Sequence, residues 1–183
     1  MFNVKLVELP KKVLREISKE VTLPLSKEDD LLAQKMIYHV DDSQKPNTKF
    51  RPAVGVAAVQ YGVLKRMFYV HVKNFDTDET IFSDVIINPV VLSKSFGKQA
   101  LSEGEGCLSV PENYPNQEGY IRRATRIKIK CYSYKQQKEV EYDLTGYVAI
   151  VFQHELDHLD GKLFIDRIKR SNPWEKEKDL ILM

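Results

Sequence analysis

Cysteine is scarce in this chain. Cys107 and Cys131 are the only two thiols in 183 residues, too few for a disulfide framework. Neither sign of charge dominates: 28 basic against 26 acidic side chains leave a net charge of +2. Charge therefore gives no argument for specific DNA binding or for any other polyanion partner. No apolar run approaches the roughly 18–20 residues that a bilayer span needs. The opening MFNVKLVELPKK has no apolar core of the secretory type, so no leader is expected and the location expected is the cytoplasm. Internal repeats and low-complexity tracts are missing too. What remains is ordinary: 43% apolar and 30% charged residues, the mixture of one globular domain over residues 1–183.

The coarse pattern is mixed. Residues 26–40 read as a helix, with Ser26 as N-cap, acidic Glu28, Asp29 and Asp30 in the first turn, and Leu32, Met36 and Val40 on one face. His39 on that helix reads as a structural side chain. Residues 41–52, broken by Pro46 and Pro52, read as a loop. Residues 66–72 and 81–95 read as strands, with His71 structural in the first and Pro89 forcing an edge or a bulge in the second. Residues 127–134 and 138–144 read as a hairpin, and the alternation of Ile127, Ile129 and Cys131 makes Cys131 a small core hydrophobe. From Thr145 the period changes to that of a helix ending at Gly161, apolar nearly all round in its first half. The charged tail reads as extended, closing with an edge strand.

The chemistry lies in that last helix. QHELDHLDGK, residues 153–162, holds two of the four histidines. His154 and His158 are four apart, so both can aim at one ion, while Glu155 lies one step round and can reach a water without ligating. Such a site needs a third protein ligand. A third histidine of the metzincin type fails at Phe164. The downstream carboxylates, Glu175 and Glu177, lie beyond Pro173 on the charged tail and are poor candidates. Upstream, Cys107 sits in the glycine-rich EGEGCLSVPE, where a thiolate can be exposed or liganded. Cys107, His154 and His158 together leave one position open for water. A third stretch, AVGVAAVQYG at residues 53–62, is rich in small residues and ends in Gln60. On its own it reads as a tightly packed strand edge.

VGVAAVQ, EGCLSV and QHELDHLDG, in this order, resemble the three motifs of the peptide deformylases, and INP and GKLFID look familial as well. The resemblance implies an α+β fold, a central metal-binding helix packed against antiparallel sheets. It implies removal of the formyl group from the N-terminal formyl-methionine of nascent polypeptides, which leave the ribosome at its exit tunnel. It implies one divalent ion, Fe(II) in the native enzyme with zinc, nickel or cobalt as substitutes, held by Cys107, His154 and His158. Glu155 is then the general acid/base, and Gln60 with the backbone amide of Leu108 faces the formyl oxygen. Val54, Gly55, Tyr120, Ile150 and Val151 match positions lining the peptide and methionine site. The long loop before the first motif, EGY at residues 118–120 and the absence of a C-terminal helical segment resemble the Gram-positive-type subclass. The rival is a zinc peptidase of the H-E-x-x-H type. One departure stands out: Ala53 occupies the first glycine of the family's first motif. Ala53 is therefore expected in ordinary β-region backbone, leaving Gly55 to provide close approach.

Overall fold

A strand buried on both faces must lie between two layers. β2, Met67–Lys73, is such a strand: Phe68, Val70 and Val72 enter one core cluster, Met67 and Tyr69 the other. It belongs to an antiparallel five-stranded sheet in the order β1-β2-β3-β6-β7, where β1 is Gly55–Ala57, β3 Thr80–Lys94, β6 Arg126–Ser133 and β7 Lys138–Thr145. Helix α1, Lys27–Ser43, covers the Met67 face and helix α2, Gly146–Leu159, the Phe68 face. The structure, a computed structural model, describes residues 2–183.

A second sheet is small: β5, Arg123–Ala124, pairs with β4, Lys98–Ala100, which pairs with β8, Leu180–Leu182. The β4–β8 pair is parallel, while β4–β5 and the pairs of the five-stranded sheet are antiparallel, as expected for an α+β fold built on antiparallel sheets. β8 is the edge strand expected at the C-terminus.

α2 is the middle of the molecule. Phe152 is fully buried and meets Phe68 and Phe82 edge-on, with ring centroids 5.3 and 5.0 Å apart. Each such burial contributes about 1.5–3 kcal/mol. Thr145 stands at the N-cap position but its hydroxyl makes no capping bond. The other end is closed by paired backbone bonds, Gly161 N–H to His158 C=O at 3.2 Å and Lys162 N–H to Asp157 C=O at 2.8 Å. Gly161 has φ +69°, and a Cβ there would lie 2.5 Å from the Arg15 carbonyl oxygen. Only glycine serves at that point.

α1 starts where the sequence places it, with Ser26 Oγ accepting from the Asp29 N–H at 3.1 Å. It runs on to Ser43, past the expected start of the loop at residue 41. Tertiary bonds explain the extension. Asp41 accepts from Tyr69 O–H and His71 Nδ1, both at 2.7 Å, and Gln44 Nε2 donates to Ala53 O and His71 O. His39 is buried and meets the Tyr61 hydroxyl at 2.8 Å, a structural side chain as read.

Pro89 does break the β3 ladder: the register to β6 shifts between Ile87 and Val90. Asn88, just before it, has φ +50°. Its side chain accepts from Val21 N–H and donates to Val21 C=O, each at 2.8 Å. Asn88→Ala loses both bonds and leaves an ordinary L residue in the left-handed region. It is expected to cost about 2–3 kcal/mol. Urea unfolding monitored by circular dichroism reads this; an unchanged midpoint would show that the N-terminal segment is not anchored there.

Candidate metal centre and cleft

Helical spacing sorts α2 into two working faces. Ile150, Val151, His154 and Glu155 line a cleft of about 550 Å³, shared with Val54, Gly55, Gln60, Cys107, Leu108 and Tyr147. Gln153 and Asp157 turn the other way. Cys107 comes from the loop after β4 and closes on the helix. One atom each from Cys107, His154 and His158 lies within 4.8 Å of the others, and Cys107 Sγ is 3.3 Å from His158 Nε2. A thiolate and two imidazoles are a soft donor set suited to a transition-metal dication.

The surroundings fit that use. His154 gives its Nδ1–H to Glu105 Oε2 at 2.8 Å, leaving Nε2 for the ion. Glu105 is clamped by two Arg123 bonds of 2.8 Å each. Arg123 also donates to Asp157 at 2.5 Å, and Asp157 takes two bonds from Arg167. Ser109 N–H donates to Cys107 Sγ at 3.4 Å. At this centre, two buried side-chain atoms have no hydrogen-bond partner among the described residues, Glu155 Oε2 and His158 Nδ1.

The electrostatics point the same way. Burial by itself raises the Cys107 thiol, but the charges and hydrogen bonds of His158 and His154 bring it down to about 5. The thiolate is thus available at neutral pH. Burial pushes the Glu155 carboxyl up to about 7, against the pull of His154 and His158. Glu105 resists burial through the Arg123 and His154 bonds and sits at about 2. A carboxyl near neutrality beside one that stays charged separates a proton carrier from a fixed anchor.

Gln60 sits in a 3-10 turn following β1. Its Oε1 accepts from Ala57 N–H at 2.9 Å, which fixes the amide orientation. Nε2 then points to Ser109 Oγ at 3.1 Å and Cys107 Sγ at 3.6 Å.

A match to the family model for polypeptide deformylase covers residues 4–174. The chain belongs to the polypeptide deformylase family. A peptide deformylase of Mycoplasmopsis pulmonis is 58% identical, covering 96% of each chain. Peptide deformylase 2 of Bacillus cereus is 43% identical over 91% of this chain and 90% of its own. Among solved structures, the deformylase of Ehrlichia chaffeensis superposes with a TM-score of 0.75 at 29% identity, covering 93% of this chain and 90% of its own. A Met-Ala-Ser-bound class I type b deformylase of Acinetobacter baumannii gives 0.73 at 29%, over 90% and 98%.

Not every expected residue reaches the cleft of this deformylase-family chain. Tyr120 does not line it. Its ring packs edge-on against Trp174 at 5.0 Å, and its N–H bonds to Pro173 C=O at 2.9 Å, tying it to the C-terminal tail. Phe164, where a metzincin has its third histidine, is buried and lies near-parallel to the His154 ring. Glu175 and Glu177 are engaged with Lys169 and Arg122. The sequence reading gave Glu105 and Arg123 no role. A ligating histidine needs an acceptor for its other N–H, and the carboxylate two residues before Cys107 was the signal.

Gly55 meets a neighbour that was not anticipated. A Cβ there would lie 2.5 Å from Glu155 Oε1, so the small residue serves the carboxylate. Ala53 is absent from the positive-φ residues and packs against the α1-side core. Gly55→Ala displaces the end of a flexible side chain. It is expected to lower kcat/KM on a formyl-Met peptide by about tenfold or more, with little loss of stability. Ala53→Gly is expected to change kcat/KM by less than about fivefold and to cost about 0.5–1 kcal/mol through unfolded-state entropy. Equal activity losses at the two positions would refute the assignment.

Proposed function

We propose that the chain removes the formyl group from N-terminal formyl-methionine of nascent polypeptides, using Cys107, His154 and His158 to hold one divalent cation. The observation that carries this reading is the convergence of that soft donor set with the buried, unpartnered Glu155 carboxylate at one end of the cleft. When bound, the cation supplies Lewis acidity, easing loss of a proton from water and polarising the formyl oxygen.

The remaining work falls to the chain. Glu155 takes a proton from the attacking water, whose oxygen adds to the formyl carbon. Gln60 Nε2–H and the Leu108 N–H donate to the formyl oxygen as charge builds on it. Glu155 then passes the proton to the amine nitrogen, the C–N bond breaks, and formate and a free N-terminus result. Val54, Ile150 and Val151 supply apolar wall for the methionine side chain.

Fe(II) is the proposed resident ion, with zinc, nickel or cobalt able to substitute. Metal analysis of protein purified without oxygen tests that choice. Substrates that emerge from the exit tunnel imply a brief encounter with the ribosome in the cytoplasm. Among the described residues, no helix is long and apolar enough to cross a membrane. The Gram-positive-type assignment accords with the Bacillus relative. The H-E-x-x-H peptidase reading is set aside, since the third donor is the upstream Cys107 thiolate.

The discriminating experiment compares a formyl-Met peptide with a blocked internal peptide. Release of formate from the first and no cleavage of the second is expected. Cleavage of the internal peptide bond would overturn the proposal.

A further inference from the structure

α2 has a second cavity behind it. Gln153, Leu156, Asp157 and Asp160, at helical spacing i, i+3, i+4 and i+7, form one wall. The space is about 470 Å³ and is lined mainly by polar atoms of β3, β4 and the segment following α2. It is separate from the cleft, whose α2 residues lie on the opposite side of the helix.

Seven cations line this cavity and only two carboxylates do. Four of the cations are arginines already spoken for: Arg66 by Asp160, Arg122 by Glu177, Arg167 by Asp157, and Arg123 by Glu105 and Asp157. The other three are Lys94, Lys98 and Lys162, which have no carboxylate partner among the described residues. Although its side chain is largely exposed, partial desolvation in the concavity, and then the Arg167 charge, hold the Lys94 ammonium below its ordinary value. Like charges gathered in a concavity repel one another and destabilise the fold unless something offsets them.

The available groups narrow the ligand. Ammonium groups are point charges with rotatable donors, while the forks of Arg123 and Arg167, which could recognise a planar carboxylate, are already filled by Glu105 and Asp157. No aromatic side chain lines the cavity, so no ring is present to stack a nucleobase. We infer that the cavity formed by Lys94, Lys98 and Lys162 over the Arg123–Asp157–Arg167 floor binds a small phosphate-bearing anion.

The probe is inorganic pyrophosphate, titrated calorimetrically into the metal-loaded enzyme, with metal content measured before and after. One site with Kd below about 1 mM is expected. The double variant Lys94→Glu/Lys98→Glu, and separately Lys162→Glu, should weaken it by at least about tenfold, whereas Lys27→Glu on α1 should not. All four lysines are exposed, and circular dichroism verifies folding. No binding at several millimolar overturns the inference. So does equal weakening by Lys27→Glu, which would mean diffuse attraction. Unchanged binding in the cavity variants accompanied by metal loss would mean chelation at the metal centre, and also overturns it. A single-stranded oligonucleotide that displaces pyrophosphate at lower concentration would make the surface a nucleic-acid site and overturn the small-anion assignment.

Discussion

Glu155→Gln is expected to keep its metal and to lose at least about a hundredfold in kcat, the usual consequence of removing a general base. Glutamine has nearly the same shape and can still hydrogen-bond to water, but it cannot accept a proton. The residue is 3% exposed, and burial is what lifts its carboxyl to about 7. It is not one of the three clustered donors, so metal content should be unchanged. The substitution replaces a costly buried acid with a neutral amide, so thermal stability should hold or rise. Wild-type turnover in Glu155→Gln would remove the residue from the mechanism. Lost metal would instead make it a ligand.

Cys107→Ala is expected to fail earlier, at metal binding. Loss of a partner in the layer outside the ligands already costs about ten- to hundredfold in metal affinity, and loss of the thiolate itself should exceed that. The two histidines remain in place on α2, so weak binding of zinc at high concentration is compatible with the assignment. Stoichiometric metal in the purified variant, measured by mass spectrometry, is not. Cys131 is the internal control: it is buried among Ile127, Ile129 and Leu144, and burial raises its thiol to about 12. Cys131→Ala should therefore leave metal content alone.

The legible parts of the sequence were those in which one local rule decided. Ser26 followed by acidic residues placed the start of α1, and alternating Ile127, Ile129 and Cys131 placed β6. The spacing of His154 and His158 put both on one helical face. Where distant residues decided, local reading stopped short. α1 passes residue 41 because Asp41 is held by Tyr69 and His71, partners 28 and 30 residues away. The parallel β4–β8 pair joins residues 82 apart (Lys98 to Leu180), which no periodicity reports. Arg123 reads in sequence as one more surface cation, yet it is 2% exposed and carries Glu105. Gly55 read as a site of close approach, but that its neighbour is Glu155 could be known only from the packing of β1 on α2.

The Schellman closure at Gly161 and the burial of almost every residue from 149 to 159 have a consequence for how this gene can drift. Each position along α2 is claimed by a different neighbour: Phe152 by the sheet, Gln153 by β5, His154 and Glu155 by the cleft, Asp157 by two arginines. Inserting or deleting one residue turns everything beyond it by about 100°. The histidines would then face the arginines, and Asp157 would face the core or the cleft. The C-terminal end of the helix is fixed as well, since Gly161 closes against the Arg15 carbonyl with no room for a side chain. Length change is therefore expected to be tolerated in turns such as residues 74–79 and to be costly within α2.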